Sequence, residues 1–351
     1  MTHPIQVGYC VPIFAWPGGG LFRTPNFPEL NVKTVLETAR LADSLGYDSI
    51  WVADHLMLGK DQAIMEGWTT LSAIAGMTSK SKLGIIHQGH FFRYPSVAAK
   101  MIATLDQISG GRFIYFADTG TRISEHQAYG LNYPENVEER MADFLEGLEL
   151  TLQLWQSTEE NPLTFDGKFH HVKDAVCNPK PVTQPHPPIW FGEAHPITFD
   201  AVARWGQGWN SVPVGLTTMK QRLELLKAAC QKVSRSFDEL EISYEVQILI
   251  APTRAAVRDK LKAILALSPA GAETPQDADF RAFVNGESDE YPRYLTDTGL
   301  VGTPDEVKAQ LQNYLAIGIS HFMLWFMDAP DSDGMKLFIE QVAPAFKSGQ
   351  H

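Results

Sequence analysis

Histidine is the side chain whose charge changes near neutral pH, so the chemistry starts at Asp54-His55, where the apolar run of residues 47–53 ends. A strand that delivers His55 at its tip can hold a proton donor or acceptor over a pocket. Asp54 could orient His55 or cap the loop that follows. Neighbouring strand residues face opposite ways, which favours the cap. Two more histidines, His87 and His90, lie in the run LGIIHQGHF, with His87 read as an interior packing residue. Thr119-Gly120 follows a third apolar run. Gly192-Glu193-Ala194 follows a fourth and precedes a helix, the best place here for backbone N–H groups to meet a phosphate. Glu245 and Gln247 alternate onto one face of a seventh strand, and Trp325 lies near the end of an eighth. His170-His171 are adjacent in an expected hairpin and point to opposite faces, so no metal site is expected. Neither a nucleophile elbow nor a P-loop is present.

The elements that must position these residues alternate regularly. Residues 6–12 read as a first strand, followed by a loop rich in glycine and aromatics that includes Trp16. Asn31 caps a helix with apolar residues at Val35, Leu36, Ala39, Ala42 and Leu45, and Gly46 ends it. Strands are expected at 47–53, 82–91, 112–117, 189–192, 209–212, 242–251 and 319–326. Helices fall between them and after the last. Asp166-Gly167 marks a hairpin turn, and a run of prolines from Pro179 to Pro188 forbids helix there. Residues 268–299 are polar, broken by glycine and proline, and read as an inserted lid-like excursion before the last strand-helix unit. Thr303-Pro304-Asp305-Glu306 spells a capping box with proline at the first helical position. Eight strand-helix units imply an α/β fold, a closed (β/α)8 TIM barrel spanning 1–351 as one domain. An open doubly wound sheet would need a spaced glycine loop and a prompt helix after the first strand, and Gly18-Gly19-Gly20 offers neither.

Composition narrows the function. The 351 residues carry 29 Lys and Arg against 41 Asp and Glu, a net charge of -12, which leaves no basic face for a nucleic-acid backbone. No apolar run approaches membrane-spanning length, and the first ten residues lack a secretory pattern, so a cytoplasmic location is expected. The three cysteines, Cys10, Cys177 and Cys230, read as reduced packing residues.

Several segments match a family in order and spacing: GYDSIWVADH, EGWTTLSAIAGMTSKSKLG, PSVAAKMIATLDQISGGRF, PKPVTQPHPPIWFGEA, RWGQGWN and LVGTPDEV. With these the chain resembles the luciferase-like, flavin-dependent monooxygenases along nearly its whole length. The resemblance implies an oxidoreductase that binds FMN or the deazaflavin F420 at the strand ends, in a homodimer or tetramer. It favours a two-component monooxygenase in which a separate flavin reductase supplies reduced FMN and O2 forms a C4a-peroxyflavin. F420-dependent hydride transfer is the alternative, and a non-catalytic flavin-binding protein the third reading. His55 matches the family's histidine at the end of the second strand, as proton donor or flavin stabiliser. Gly89-His90 falls where the family places a strained peptide behind the ring, and Thr119-Gly120 where a Thr-Gly lies against the flavin. Gly192, Glu193 and Ala194 stand in the place of its Gly-Gly-Ser/Thr phosphate loop, from which Glu193 departs. Alkanesulfonate monooxygenases carry an arginine and a histidine where this chain has Glu245 and Gln247. A carboxylate there disfavours a strong anion, so a small neutral or cationic substrate is expected. Trp16, Trp325 and, from the excursion, Arg293 are the expected pocket residues.

Overall fold

The computed structural model describes residues 5–18, 20–269 and 275–347. Gly19 of the first loop and residues 270–274 of the excursion lie outside them. Eight parallel strands close on themselves: β1 (Gln6–Cys10), β2 (Ser49–Ala53), β3 (Lys82–Ile86), β4 (Phe113–Asp118), β5 (Ile189–Phe191), β6 (Gly208–Ser211), β7 (Glu241–Ile250) and β8 (His321–Phe326). Closure is direct, since β8 pairs with both β1 and β7. The expected barrel is therefore present.

Large side chains fill the interior, and small ones make room for them. Trp51 on β2 packs against Trp190 on β5, ring centroids 5.4 Å apart, and against His321 on β8. Contacts between strands that are not neighbours place these rings inside the barrel. Room comes from Gly8, Gly84 and Gly208, where a Cβ would lie 2.6, 2.1 and 2.6 Å from Ser49, Trp51 and Trp190 respectively. The indole N–H of Trp51 donates to Ser49 Oγ at 2.7 Å, which contacts His321 Nε2 at 2.8 Å, and His321 Nδ1 meets Glu241 at 2.6 Å. These three interior polar side chains thereby pair with one another and with Glu241.

Helix ends follow the sequence closely. Asn31 accepts from the Thr34 N–H at 3.0 Å to start α1 (Val32–Leu45), and Gly46 closes it in the left-handed region at φ 84°. Thr303 and Glu306 form the expected capping box of the helix Pro304–Leu315. Among the described residues, no helix is long and apolar enough to cross a membrane.

Three places differ from the sequence expectation. The run 82–91 is not one strand: β3 stops at Ile86, the Ile86–His87 peptide is cis, and Gln88–Gly89 pairs separately with Ala117–Asp118. A short helix, Ile123–Ala128, follows β4 ahead of the long helix Val137–Gln156, where the sequence reading placed a single helix. The described part of the excursion carries helices Ala278–Asn285 and Arg293–Thr296, and Gly299–Gly302 adds a parallel strand beside β7. A second apolar cluster, including Leu249, Leu261, Phe280, Phe283 and Leu295, holds these pieces on the barrel. Leu21 of the first loop belongs to that cluster.

Gly84→Ala should test the interior packing. A methyl 2.1 Å from the Trp51 ring forces overpacking in a closed core, and a loss of about 1–3 kcal/mol is expected. Urea unfolding of the variant against the wild type measures it.

Candidate active site

Strand ends in a closed barrel converge at one mouth, and here they line a cleft of about 720 Å³ counted with its opening. Its apolar flanks include Phe14, Ala53, Leu58, Ile86, Phe92 and Val212, and its polar groups come from Arg23, His55, His87, Arg122 and Glu245.

His55 sits where β2 delivers it. Its Nδ1 lies 2.8 Å from Glu125 Oε1, while Nε2 makes no hydrogen bond among the described residues. Glu125 is buried on the short helix after β4, and its other oxygen accepts from the backbone N–H of Leu56 at 2.7 Å and of Met57 at 3.3 Å. Burial alone would raise the Glu125 carboxyl, but the His55 contact and these N–H groups hold it below its ordinary value. An ionised carboxylate at Nδ1 fixes the imidazole tautomer and leaves Nε2 free to take a proton. Sequence reasoning missed Glu125, because it lies 70 residues from His55 on a helix too short to show a periodic pattern.

Asp54 neither orients His55 nor merely caps a loop. Arg93 grips it through two bonds, 2.8 and 2.9 Å, and it accepts from the Gly89 N–H at 2.9 Å. Arg93 also reaches Glu66, the cap of the helix Gly67–Met77, at 2.7 Å. The clamp ties the end of β2 to the loop after β3.

His87 corrects a second expectation, since it is a pocket residue held between two acids. Nδ1 lies 3.0 Å from Asp118 and Nε2 lies 3.1 Å from Glu245. Burial would depress the imidazole, but the two carboxylates outweigh it and push it up to about 10. Both nitrogens are committed as donors, so His87 is a buried cation and cannot serve as a base. Glu245 in turn receives Arg23 at 2.9 Å and the Trp325 indole N–H at 2.6 Å. Burial would raise Glu245, yet Arg23, His87 and Trp325 bring it down to about 2.

That pairing removes the charge argument for a neutral or cationic substrate. Glu245 is already neutralised from within the protein, by Arg23 and His87. Arg23 was not foreseen. It comes from the glycine-rich first loop and lies over the Trp325 ring at 5.3 Å. Its backbone N–H donates to Gln247 Oε1 at 3.2 Å, and Gln247 donates to the Leu21 carbonyl at 2.7 Å. Gln247 therefore positions the loop and does not line the cleft.

The other expected residues divide. Gly120 and Trp325 line the cleft. Gly89 and Thr119 lie just behind: a Cβ on Gly120 would be 3.5 Å from the Gly89 Cα, and the Thr119 hydroxyl donates to Glu193 Oε1 at 3.1 Å. His90 turns to Asp143 on the long helix α5 (Val137–Gln156), at 3.1 Å, and is not a lining residue. Gly192, Glu193 and Ala194 form the turn after β5. Glu193 takes φ 60°, and burial together with Asp118 raises its carboxyl. At Gly192 a Cβ would lie 2.4 Å from Asp118, so only glycine fits there. None of the three lines the cleft, nor does Trp16, which packs edge-on to Phe22 at 5.3 Å. Arg293 is 86% exposed, 3.9 Å from Asp279, and does not reach the site.

The residues present fit the ring end of a flavin or deazaflavin. Ala53, Ile86, Leu58 and Val212 offer apolar surfaces for a planar ring. Arg23 keeps one buried guanidinium nitrogen, Nη1, with no partner among the described residues, a donor available to an oxygen of a bound molecule.

The charge network makes a pH prediction. The His87 contribution to stability is complete below its ordinary 6.5 and is lost as pH rises through about 10. The Glu245 contribution is complete above its ordinary 4.5 and is lost as pH falls through about 2. The stability advantage of the wild type over His87→Gln should therefore shrink from pH 6.5 to 10, as followed by urea unfolding at stepped pH. A constant difference would refute the double pairing.

Comparison with known proteins agrees with this architecture. An F420-dependent glucose-6-phosphate dehydrogenase of Amycolatopsis mediterranei is 26% identical over 330 residues, covering 90% of this chain and 95% of that one. An F420-dependent secondary alcohol dehydrogenase, solved with an F420-acetone adduct, superposes with a TM-score of 0.75 at 20% identity, over 99% of this chain and 100% of that one. A monooxygenase of Streptomyces bottropensis gives 0.73 at 22% identity, over 97% and 100%. Residues 5–321 match the family described as luciferase-like monooxygenase. The chain is an oxidoreductase and belongs to the luciferase-like monooxygenase family.

Proposed function

We propose that the protein is an F420-dependent oxidoreductase that removes a hydride from a carbon bearing a hydroxyl group, or returns one to the corresponding carbonyl. The observation that carries this reading is the His55–Glu125 pair with Nε2 free at the cleft. Oxidation of a C–H and O–H on one carbon releases a hydride and a proton. F420, when bound, supplies the two-electron acceptor. His55 Nε2 takes the hydroxyl proton, and Glu125 at Nδ1 stabilises the imidazolium that results. The ring would lie against Ala53 and Ile86, with Arg23 Nη1 donating to an oxygen of the ring or the substrate. His87, saturated by two acids, holds charge and takes no proton.

Support for F420 over FMN comes from the relatives at 24–27% identity, which are named F420-dependent glucose-6-phosphate dehydrogenases. The FMN- and O2-dependent reading, with its reductase partner, rests on structural neighbours such as the long-chain alkane monooxygenase at 18% identity.

The test is anaerobic incubation of the purified protein with F420 and a panel of secondary alcohols and sugar phosphates, read as loss of F420 absorbance. Turnover is expected with at least one member. His55→Gln should lower it by about 10²–10⁴-fold, while F420 binding, followed by its fluorescence, changes little. Oxygen uptake with reduced FMN, together with no binding of F420, would overturn the reading.

A further inference from the structure

Outside the cleft, side chains from three separate elements meet. His90 comes from the turn after Gly89, Asp143 from α5, and His170 from the hairpin formed by Leu163–Asp166 and His171–Ala175. Asp143 Oδ1 lies 3.1 Å from His90 Nε2 and 2.8 Å from His170 Nε2. All three donor atoms fall within 4.8 Å of one another. The side chains are only 8%, 10% and 7% exposed.

Each member is held in place independently. Gly147 makes room for His90, since a Cβ there would lie 2.2 Å from its Cε1. Glu146 accepts the backbone N–H groups of Lys168, Phe169 and His170, which pins the hairpin turn to α5. Phe91 and Phe144 meet the His90 ring edge to face, at 4.7 and 5.6 Å. Both imidazoles aim at the same carboxylate oxygen, and Oδ2 receives no bond from a described residue. His170 Nε2 also lies 3.2 Å from the Asp143 carbonyl. Two ordinary hydrogen bonds have no need to share one oxygen. Three donors gathered round one point is the pattern of monodentate ligands.

We propose that His90, Asp143 and His170 form a zinc site with water as the fourth ligand. Two imidazoles and a carboxylate suit Zn2+, and bonds of about 2.0–2.2 Å in a tetrahedron separate donors by roughly 3.3 Å. The observed separations, 2.8 and 3.1 Å to Asp143 and at most 4.8 Å for the third pair, lie around that spacing. The ion would clip the hairpin and α5 to the turn that continues into Phe92, a cleft wall, and Arg93, which grips Asp54. The adjacent histidines part company: His171 Nδ1 meets Asp166 at 2.8 Å, while His170 meets partners 80 and 27 residues away.

The test uses metal alone and does not depend on the enzymatic reading. Protein stripped with chelator should bind one equivalent of Zn2+, and Co2+ in its place should give the visible absorption of a tetrahedral site. Zinc should raise the melting temperature of the wild type by several degrees, and that of His170→Ala or Asp143→Asn not at all. If His170→Ala does not fold, Asp143→Asn and the wild-type titration still decide. Absence of stoichiometric binding, or binding that survives both substitutions, overturns the site and leaves a hydrogen-bonded His-Asp-His latch.

Discussion

A carboxylate removed from water must be met by cations or N–H groups, or it does not stay ionised. At the mouth of this barrel Asp54, Asp118, Glu125 and Glu245 are all buried. Much of the surrounding arrangement follows from satisfying these acids. Arg93 is drawn to Asp54, the loop after β2 folds over Glu125, and His87 is trapped between Asp118 and Glu245. Each pairing crosses between different strand ends, so together they fix the relative positions of the loops that frame the cleft.

The same constraint sorts the histidines by role. One imidazole nitrogen bonded to an acid leaves the other for chemistry, as at His55. Two nitrogens each bonded to a carboxylate make a fixed cation, as at His87. Residue type is identical in the two cases. The number of acids bonded to the ring alone separates an imidazole with one open nitrogen from a structural charge.

Local signals in the sequence carried the barrel. Asn31, Gly46 and the Thr303–Glu306 box act within a few residues of themselves, so their helix ends could be read directly. The end of β2 at Asp54-His55 was legible for the same reason: an apolar run stops there. What remained hidden depends on contacts across the chain. Arg23 reaches Glu245 over 222 residues of sequence, and nothing in a glycine-rich loop marks one arginine as interior. The Asp-Gly turn was readable, but the meeting of His170 with His90 depends on how the hairpin packs on α5. The run 82–91 looked continuous because no proline or turn dipeptide interrupts it, although β3 stops at Ile86 and Gln88–Gly89 pairs separately.

One feature of the first loop joins regions that otherwise have separate cores. Leu21 is embedded in the apolar cluster of the excursion, and two residues later Arg23 sits in the charge network at the barrel mouth. Gln247 bonds to the backbone of both. The excursion thus anchors a lever whose far end carries a cation. Relatives that differ in this inserted segment would inherit a different electrostatic floor even with every strand-end residue kept. Transplanting catalytic residues between such proteins would then fail to transplant the environment in which they work.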